Sequence, residues 1–308
     1  SILKKVFKNL GNQYFDSSNL IIGPGDDAGL FKTKKELIFS TDTSVANVHF
    51  PKDLEPKLVA YRACAVAASD VAACGGKLKW LSIALTAKSK KKKWIEEFSK
   101  GIKEFSDNYK VPIIGGDLTL GKEISVSIGA CGEIDKKYFM RRNGGKEKDL
   151  IFVTGNLGEA SIGLNLLKQK KQNLKSVEKI CLKRFLKPEI NFLFSQDLSR
   201  IANSCIDISD GLMADLNHIC EQSNLKAEIN LDNMPLIGNA IKAITWGDDY
   251  QLCFTIGSSK VKKLTEISKK HKVKITKIGK LTKGKGISVL SKGKKINIKK
   301  AGYNHYNG

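Results

Sequence analysis

The spacing of apolar and polar positions marks out two successive sets of strands and helices. Ile2, Leu3, Val6, Phe7 and Leu10 recur at helical spacing and predict an opening helix over residues 2–14. Leu37-Ile38-Phe39 is a short apolar run, read as a buried strand that continues into Ser40-Thr41-Asp42. Residues 56–74 are rich in alanine and end at Gly75-Gly76, which predicts a glycine-capped helix with Asp70 in its last turns. Residues 80–86 predict a strand, and Trp94, Phe98, Ile102 and Phe105 mark one face of the next helix. A short strand over 111–114 is expected to end at Gly115-Gly116-Asp117, with another over 124–130.

The charged, glycine-containing stretch 135–148 reads as a boundary, after which the pattern restarts. Residues 150–153 predict a strand, followed by Gly155-Asn156-Leu157-Gly158 and an apolar helix through Leu167. A further helix is expected over about 188–202, then a short strand at 206–208. Ser209 is placed to cap a helix with Leu212, Leu216 and Ile219 on one face. Strands at 250–256 and 273–278 complete the set. Strands and helices alternate without a regular βαβ repeat, so the fold class is α+β, with mixed sheets and helices packed on one face. Two domains are expected, residues 1–137 and 138–308.

Composition narrows the options. With 308 residues, 41% hydrophobic and 27% charged, the chain has the profile of a globular protein, and no apolar run approaches the ~20 residues of a membrane span. Residues 1–10 carry lysines but no apolar signal-peptide core. The seven cysteines are widely spaced without a CxxC pair, which argues against a disulfide framework or zinc site and for a cytoplasmic location. Lys and Arg number 53 against 31 Asp and Glu, a formal charge of +22. That excess raises the alternative of a nucleic-acid-binding protein. The basic residues are scattered and mostly lysine, however, and aromatics do not interleave with them as base-stacking platforms would. A lysine-biased surface with a preference for anionic ligands is the better reading.

Against that basic background the carboxylates are informative. They cluster, several beside glycines, in Gly25-Asp26-Asp27, Ser40-Thr41-Asp42, Ala68-Ser69-Asp70, Gly115-Gly116-Asp117, Asp207-Ile208-Ser209-Asp210 and Gly247-Asp248-Asp249, and the pattern puts them at element ends. Glycine allows close backbone approach, and aspartate supplies a short, hard oxygen ligand for Mg²⁺. Any one cluster is more often a turn or a cap. Six in a chain short of acids suit phosphoryl transfer, which relies on positioning and charge neutralisation. Neither common glycine-rich phosphate loop is present. The run Gly116 to Lys122 has P-loop spacing but continues with Glu123, and Gly23-Pro24-Gly25 would set two carboxylates against a pyrophosphate.

In order and spacing these motifs, with His49-Phe50, residues 65–76 and the closing Gly302-Tyr303-Asn304-His305-Tyr306, resemble the thiamine-monophosphate kinase family. That family falls in the superfamily of aminoimidazole ribonucleotide synthetase. The resemblance implies ATP-dependent phosphorylation of thiamine monophosphate to the diphosphate, with Mg²⁺, by direct in-line transfer. It implies an N-terminal ATP- and Mg²⁺-binding domain that pairs with its twin in a homodimer, and a C-terminal domain closing the active-site cleft. Asp27, Ser40, Thr41, Asp42, Asp70, Asp117, Asp207 and Asp210 then resemble the family's metal ligands, and Asp42, Asp70 and Asp210 are the residues expected to be catalytic. Gly116, Asp117, Arg142 and Ser209 are the implied ATP contacts, and His49, Asp248 and Tyr303 the implied substrate contacts. Ala67-Ala68 and Asp248 depart from the family, which has Asn-Leu and Glu there. An aminoimidazole ribonucleotide synthetase-like activity is the enzymatic alternative.

Overall fold

The computed structural model describes residues 10–22, 28–88 and 92–298, so the opening helix expected from residues 2–14 falls almost wholly outside them. The chain forms two compact units, one within Ser1–Val71 and Gly76–Lys137, the other within Ala72–Gly75 and Tyr138–Gly308.

In the first unit β1 (Leu20–Ile22) and β2 (Leu30–Phe31) form a small antiparallel pair. They precede β3 (Glu36–Val45), α1 (Pro56–Ala73), β4 (Lys77–Ala87), α2 (Lys92–Tyr109), β5 (Ile113–Leu120) and β6 (Ser125–Ile134). The sheet order is β3-β6-β4-β5, and only β4 and β5 run parallel, joined by α2 as the crossover. Pro56 opens α1, where a missing N–H costs nothing, and Gly75 at φ 83° follows its end. Ala60, Cys64, Ala65, Ala67, Ala68 and Val71 are all fully buried, so α1 is enclosed on several sides. The departures Ala67 and Ala68 are therefore packing residues. On α2 the expected Phe98, Ile102 and Phe105 are buried, but Trp94 is only half-buried and Ile95 takes its place in the core; Phe105 meets Tyr61 of α1 edge to face.

β3 differs from its expectation as a buried run. Of Leu37-Ile38-Phe39 only Ile38 is buried, while Leu37 is 42% and Phe39 69% exposed. Strand alternation puts Ile38, Ser40 and Asp42 on the face that meets α1, and Leu37, Phe39, Thr41 and Thr43 on the open one. β5 also differs, because the ladder with β4 carries it past the glycines to Leu120. Asp42 and Asp117 thus lie within strands and not at their ends.

The second unit runs β7 (Leu150–Thr154), α3 (Glu159–Lys168), α4 (Ser176–Leu186), α5 (Phe192–Leu198), β8 (Ser204–Asp207), α6 (Leu212–Ser223), β9 (Lys226–Asn230) and α7 (Ala240–Thr245). It continues with β10 (Leu252–Ile256), α8 (Val261–His271), β11 (Ile275–Thr282), β12 (Gly286–Ser291) and β13 (Lys294–Ile296). The sheet order is β13-β12-β9-β11-β7-β10-β8, with β9 and β12 the parallel pair among antiparallel neighbours. β7 and β10 are apolar on both faces. Ile151, Val153 and Cys253 join Leu212, Leu216 and Ile219 of α6 in one core, while Phe152 and Phe254 join Phe194 and Leu198 of α5 and Leu264 of α8 in another. Helices on one face describe the first unit's main sheet. In this unit both faces are covered, because its central strands have no polar side to leave in water.

Candidate active site

In the first unit, β3 and α1 bring together the expected carboxylates. Ser40 and Asp42 are two residues apart on one face of β3, and Asp70 reaches them from the last turns of α1. The Ser40 hydroxyl donates to Asp70 Oδ2. Burial pushes the Asp42 carboxyl up to about 6, and the charge and hydrogen bond of Asp70 add to the rise. Two carboxylates and a hydroxyl that crowd one another in this way are a fitting donor set for a hard divalent cation, which would relieve the repulsion. Thr41 is exposed, and alternation points its side chain to the sheet's other face.

Gly116 and Asp117 are exposed on β5. The register Asp42–Ile128–Ile83–Gly116 puts Gly116 three strands from Asp42, roughly 14 Å at ~4.8 Å per strand. A single Mg²⁺ holds its ligands at about 2.1 Å, so Asp117 and Asp42 of one chain do not reach the same ion. Asp117 Oδ1 accepts the N–H of Leu118 at 2.8 Å. Among the described residues no three His, Cys, Asp or Glu side chains converge on one metal position. His49, half-buried after β3, accepts the Val45 N–H on Nδ1 at 3.0 Å. The neutral ring therefore carries its proton on Nε2.

In the second unit, Asp207 ends β8 and is 4% exposed, while Ser209 and Asp210 are half-buried in the turn to α6. Ser209 does not cap that helix. Gly211 occupies the cap at φ 114°, and the cap makes no side-chain hydrogen bond. Instead Asp215 Oδ2 accepts the N–H groups of Ser209, Asp210 and Gly211 at 3.0, 3.1 and 3.1 Å. Burial pushes the Asp215 carboxyl up to about 8, and the charges of Asp207 and Asp210 add to this while the N–H bonds oppose it.

The Gly247-Asp248-Asp249 segment packs directly on this turn. Asp248 N–H donates to the Ser209 carbonyl at 2.8 Å, and Tyr250 N–H to that of Ile208 at 2.9 Å. A Cβ on Gly247 would fall 1.7 Å from the Ser209 carbonyl oxygen, so glycine is required there. Asp248 is half-buried at φ 72° and its Oδ1 accepts the Tyr250 hydroxyl at 3.1 Å. Asp249 is buried and accepts N–H groups of Gly158 and Ala160 at the start of α3, at 2.7 and 3.2 Å. Its burial pushes the carboxyl up to about 7.

Arg142 is exposed in a short turn, and the guanidinium of its neighbour Arg141 lies 5.9 Å from the Phe139 ring centre. Asp27 and Tyr303 lie outside the described residues. Asp215 and Asp249 were not singled out from the sequence as supports. A signal existed for the first, because Asp215 interrupts the apolar stripe of Leu212, Leu216 and Ile219, where an acid needs a partner.

The chain matches the N-terminal domain of AIR synthase related proteins over residues 25–134 and the C-terminal domain over residues 146–292. It is 41% identical to thiamine-monophosphate kinase of Buchnera aphidicola subsp. Schizaphis graminum over 99% of this chain and 98% of that protein. Identity to the Escherichia coli K12 thiamine-monophosphate kinase is 36%, over 96% of each. The crystal structure of thiamine-monophosphate kinase from Stenotrophomonas maltophilia superposes with a TM-score of 0.84 at 30% identity, covering 96% of this chain and 97% of the other. A structure described as AaThiL complexed with AMPPCP and TMP gives 0.76 at 31% identity, covering 91% of each. Two domain matches in sequence, near-complete coverage and this level of identity make the chain a member of the thiamine-monophosphate kinase family of AIR synthase related proteins.

Proposed function

We propose that this enzyme transfers the γ-phosphoryl group of ATP directly to the phosphate of thiamine monophosphate, giving thiamine diphosphate and ADP. The observation that carries the phosphoryl-transfer reading is the Ser40, Asp42 and Asp70 donor set, whose crowded carboxylates call for a cation. The acceptor is supported by the family and by the related structure holding AMPPCP and TMP. Ser40, Asp42 and Asp70 would hold one Mg²⁺ and Asp117 another, with Asp27, Asp207 and Asp210 as further ligands. Bound Mg²⁺ would neutralise the phosphate oxygens of nucleotide and acceptor, which otherwise repel each other.

The remaining roles are those that membership of the family implies. A phosphate oxygen of the acceptor attacks the γ-phosphorus in line as the bond to the β,γ-bridging oxygen breaks, and ADP leaves. The acceptor is already anionic, so no strong general base is needed. Gly116, Ser209 and Arg142 serve the nucleotide phosphates, and His49 offers an Nε2–H to the substrate. Asp248, steadied by the Tyr250 hydroxyl, and Tyr303 contact the thiamine portion. The homodimer would form on the open face of the first unit's sheet, where Leu37 and Phe39 are exposed. Free cysteines, six of the seven buried, fit a reducing cytoplasm.

The test uses purified protein with ATP, Mg²⁺ and thiamine monophosphate, measuring thiamine diphosphate and ADP against an EDTA control. Equal, metal-dependent formation of both products is expected. ADP without thiamine diphosphate would refute the acceptor.

A further inference from the structure

The turn that carries Ser209 and Asp210 is neither helix nor strand, yet its backbone is fixed on both sides. Its carbonyls at Ile208 and Ser209 accept the N–H groups of Tyr250 and Asp248. Its N–H groups at Ser209, Asp210 and Gly211 all converge on one oxygen of Asp215. Asp215 is only 2% exposed, and Leu212 and Leu216, its neighbours on the helix face, are fully buried. The carboxyl therefore has little freedom to follow the turn if the turn moves. Helix capping alone does not require this arrangement. An acid near the start of a helix commonly accepts the cap residue's N–H, here that of Gly211, whereas this one also reaches past the cap to the two residues that bear the functional side chains.

We propose that Asp215 is a positioning residue, whose single oxygen holds Ser209 and Asp210 in the geometry that binds the Mg²⁺–nucleotide. The inference rests on the reading that these two residues serve the nucleotide and its metal. It assigns Asp215 no contact with either. What matters is an oxygen acceptor at this place, so an amide oxygen should substitute in large part, and a methyl group should not. Removing the acceptor leaves three N–H groups without it, that of Gly211 buried and those of Ser209 and Asp210 half-buried, and the turn must rearrange to rehydrate them.

Amide hydrogen exchange on the full chain, with binding of a non-hydrolysable ATP analogue in the presence of Mg²⁺, tests this. In the wild type the Ser209, Asp210 and Gly211 amides are expected to be protected to a degree close to those of β10. Asp215→Ala should speed their exchange at least a hundredfold while β10 stays protected, and should weaken analogue binding at least tenfold. Asp215→Asn should recover most of both. Exchange of the three wild-type amides at unprotected rates would overturn the proposal, and that measurement stands even where Asp215→Ala fails to fold. Analogue binding by Asp215→Ala within twofold of wild type would overturn it, and so would an Asp215→Asn that recovers nothing. Analogue binding needs no acceptor. Failure to form thiamine diphosphate would therefore count against the proposed reaction and leave this assignment intact.

Discussion

Keeping the buried Asp42 ionised beside Asp70 has a measurable cost in the metal-free protein. On folding, burial first and then the charge and hydrogen bond of Asp70 push the Asp42 carboxyl from 3.8 up to about 6. Between those values the folded state holds a proton that the unfolded state has released, so stability falls as pH rises across that window and is flat above it. A shift of roughly two units corresponds to about 3 kcal/mol. Asp42→Asn keeps the shape and removes the second charge. In EDTA at neutral pH it should stabilise the protein by up to about that amount, a rise in Tm of up to roughly 6–12 °C at 2–4 °C per kcal/mol. Asp215 and Asp249 also have raised carboxyl pKa values, so they impose a falling stability of the same sign, but they are common to both proteins and cancel in the difference. Thermal unfolding at pH 4.5 and 7.5, with EDTA and with millimolar Mg²⁺, separates the effects. The variant's advantage should shrink at pH 4.5, and Mg²⁺ should raise the Tm of the wild type more than that of the variant. A variant no more stable than wild type in EDTA at pH 7.5 would show that an ionised Asp42, buried beside Asp70, costs nothing where it sits, and would remove the argument for a cation there.

Other changes probe single contacts. Gly247→Ala sets a methyl group on the Ser209 carbonyl, and should cost at least a hundredfold in kcat/KM with a lowered Tm; near-normal turnover would mean that the turn yields freely. Tyr250→Phe removes the hydroxyl on Asp248 and should raise KM for thiamine monophosphate by about 3- to 10-fold, in line with one hydrogen bond, while KM for ATP holds in a steady-state assay. Asp249→Ala strips the acceptor from two N–H groups at the start of α3 and should lower urea stability by about 2–4 kcal/mol.

How much of this was legible in the sequence depended on whether local pattern or tertiary pairing decided the outcome. The faces of α2 and α6 were readable because burial on one side of a helix leaves a 3.6-residue period. β5 was not, because two glycines argue locally for a turn, and only the ladder with β4 holds them extended. The helix expected at 188–202 is the shorter α5, and α4 before it was missed. Val177 and Ile180 stay 56% and 50% exposed, so the α4 sequence lacks a clean apolar stripe. β9 and β12 were missed because each is short and lysine-flanked, although β9 alternates as a half-buried strand does and glycines bracket β12. Ser40, Asp42 and Asp70 could be named individually. Their approach depends on how α1 lies on β3, which no local spacing encodes.

The sequence presents its acidic clusters as six versions of one thing, and the structure sorts them by which side of the backbone they serve. In Gly247-Asp248-Asp249, adjacent carboxyls do opposite work. Asp249 turns inward to hold the N–H groups that open α3, while Asp248 is half-buried beside Tyr250. In the turn after β8 the inward partner is Asp215, five residues beyond Asp210. A buried carboxyl is costly at neutral pH, and both sit where several N–H groups meet them and offset part of that cost. Glycine beside aspartate then has a physical reason apart from metal binding. The two segments touch backbone to backbone at Gly247, a contact any side chain would prevent, and through it the posture of Asp248 depends on that of Ser209. Residues that hold the turn are therefore as exacting as those that face the ligand, and a substitution at either should be felt at both Ser209 and Asp248.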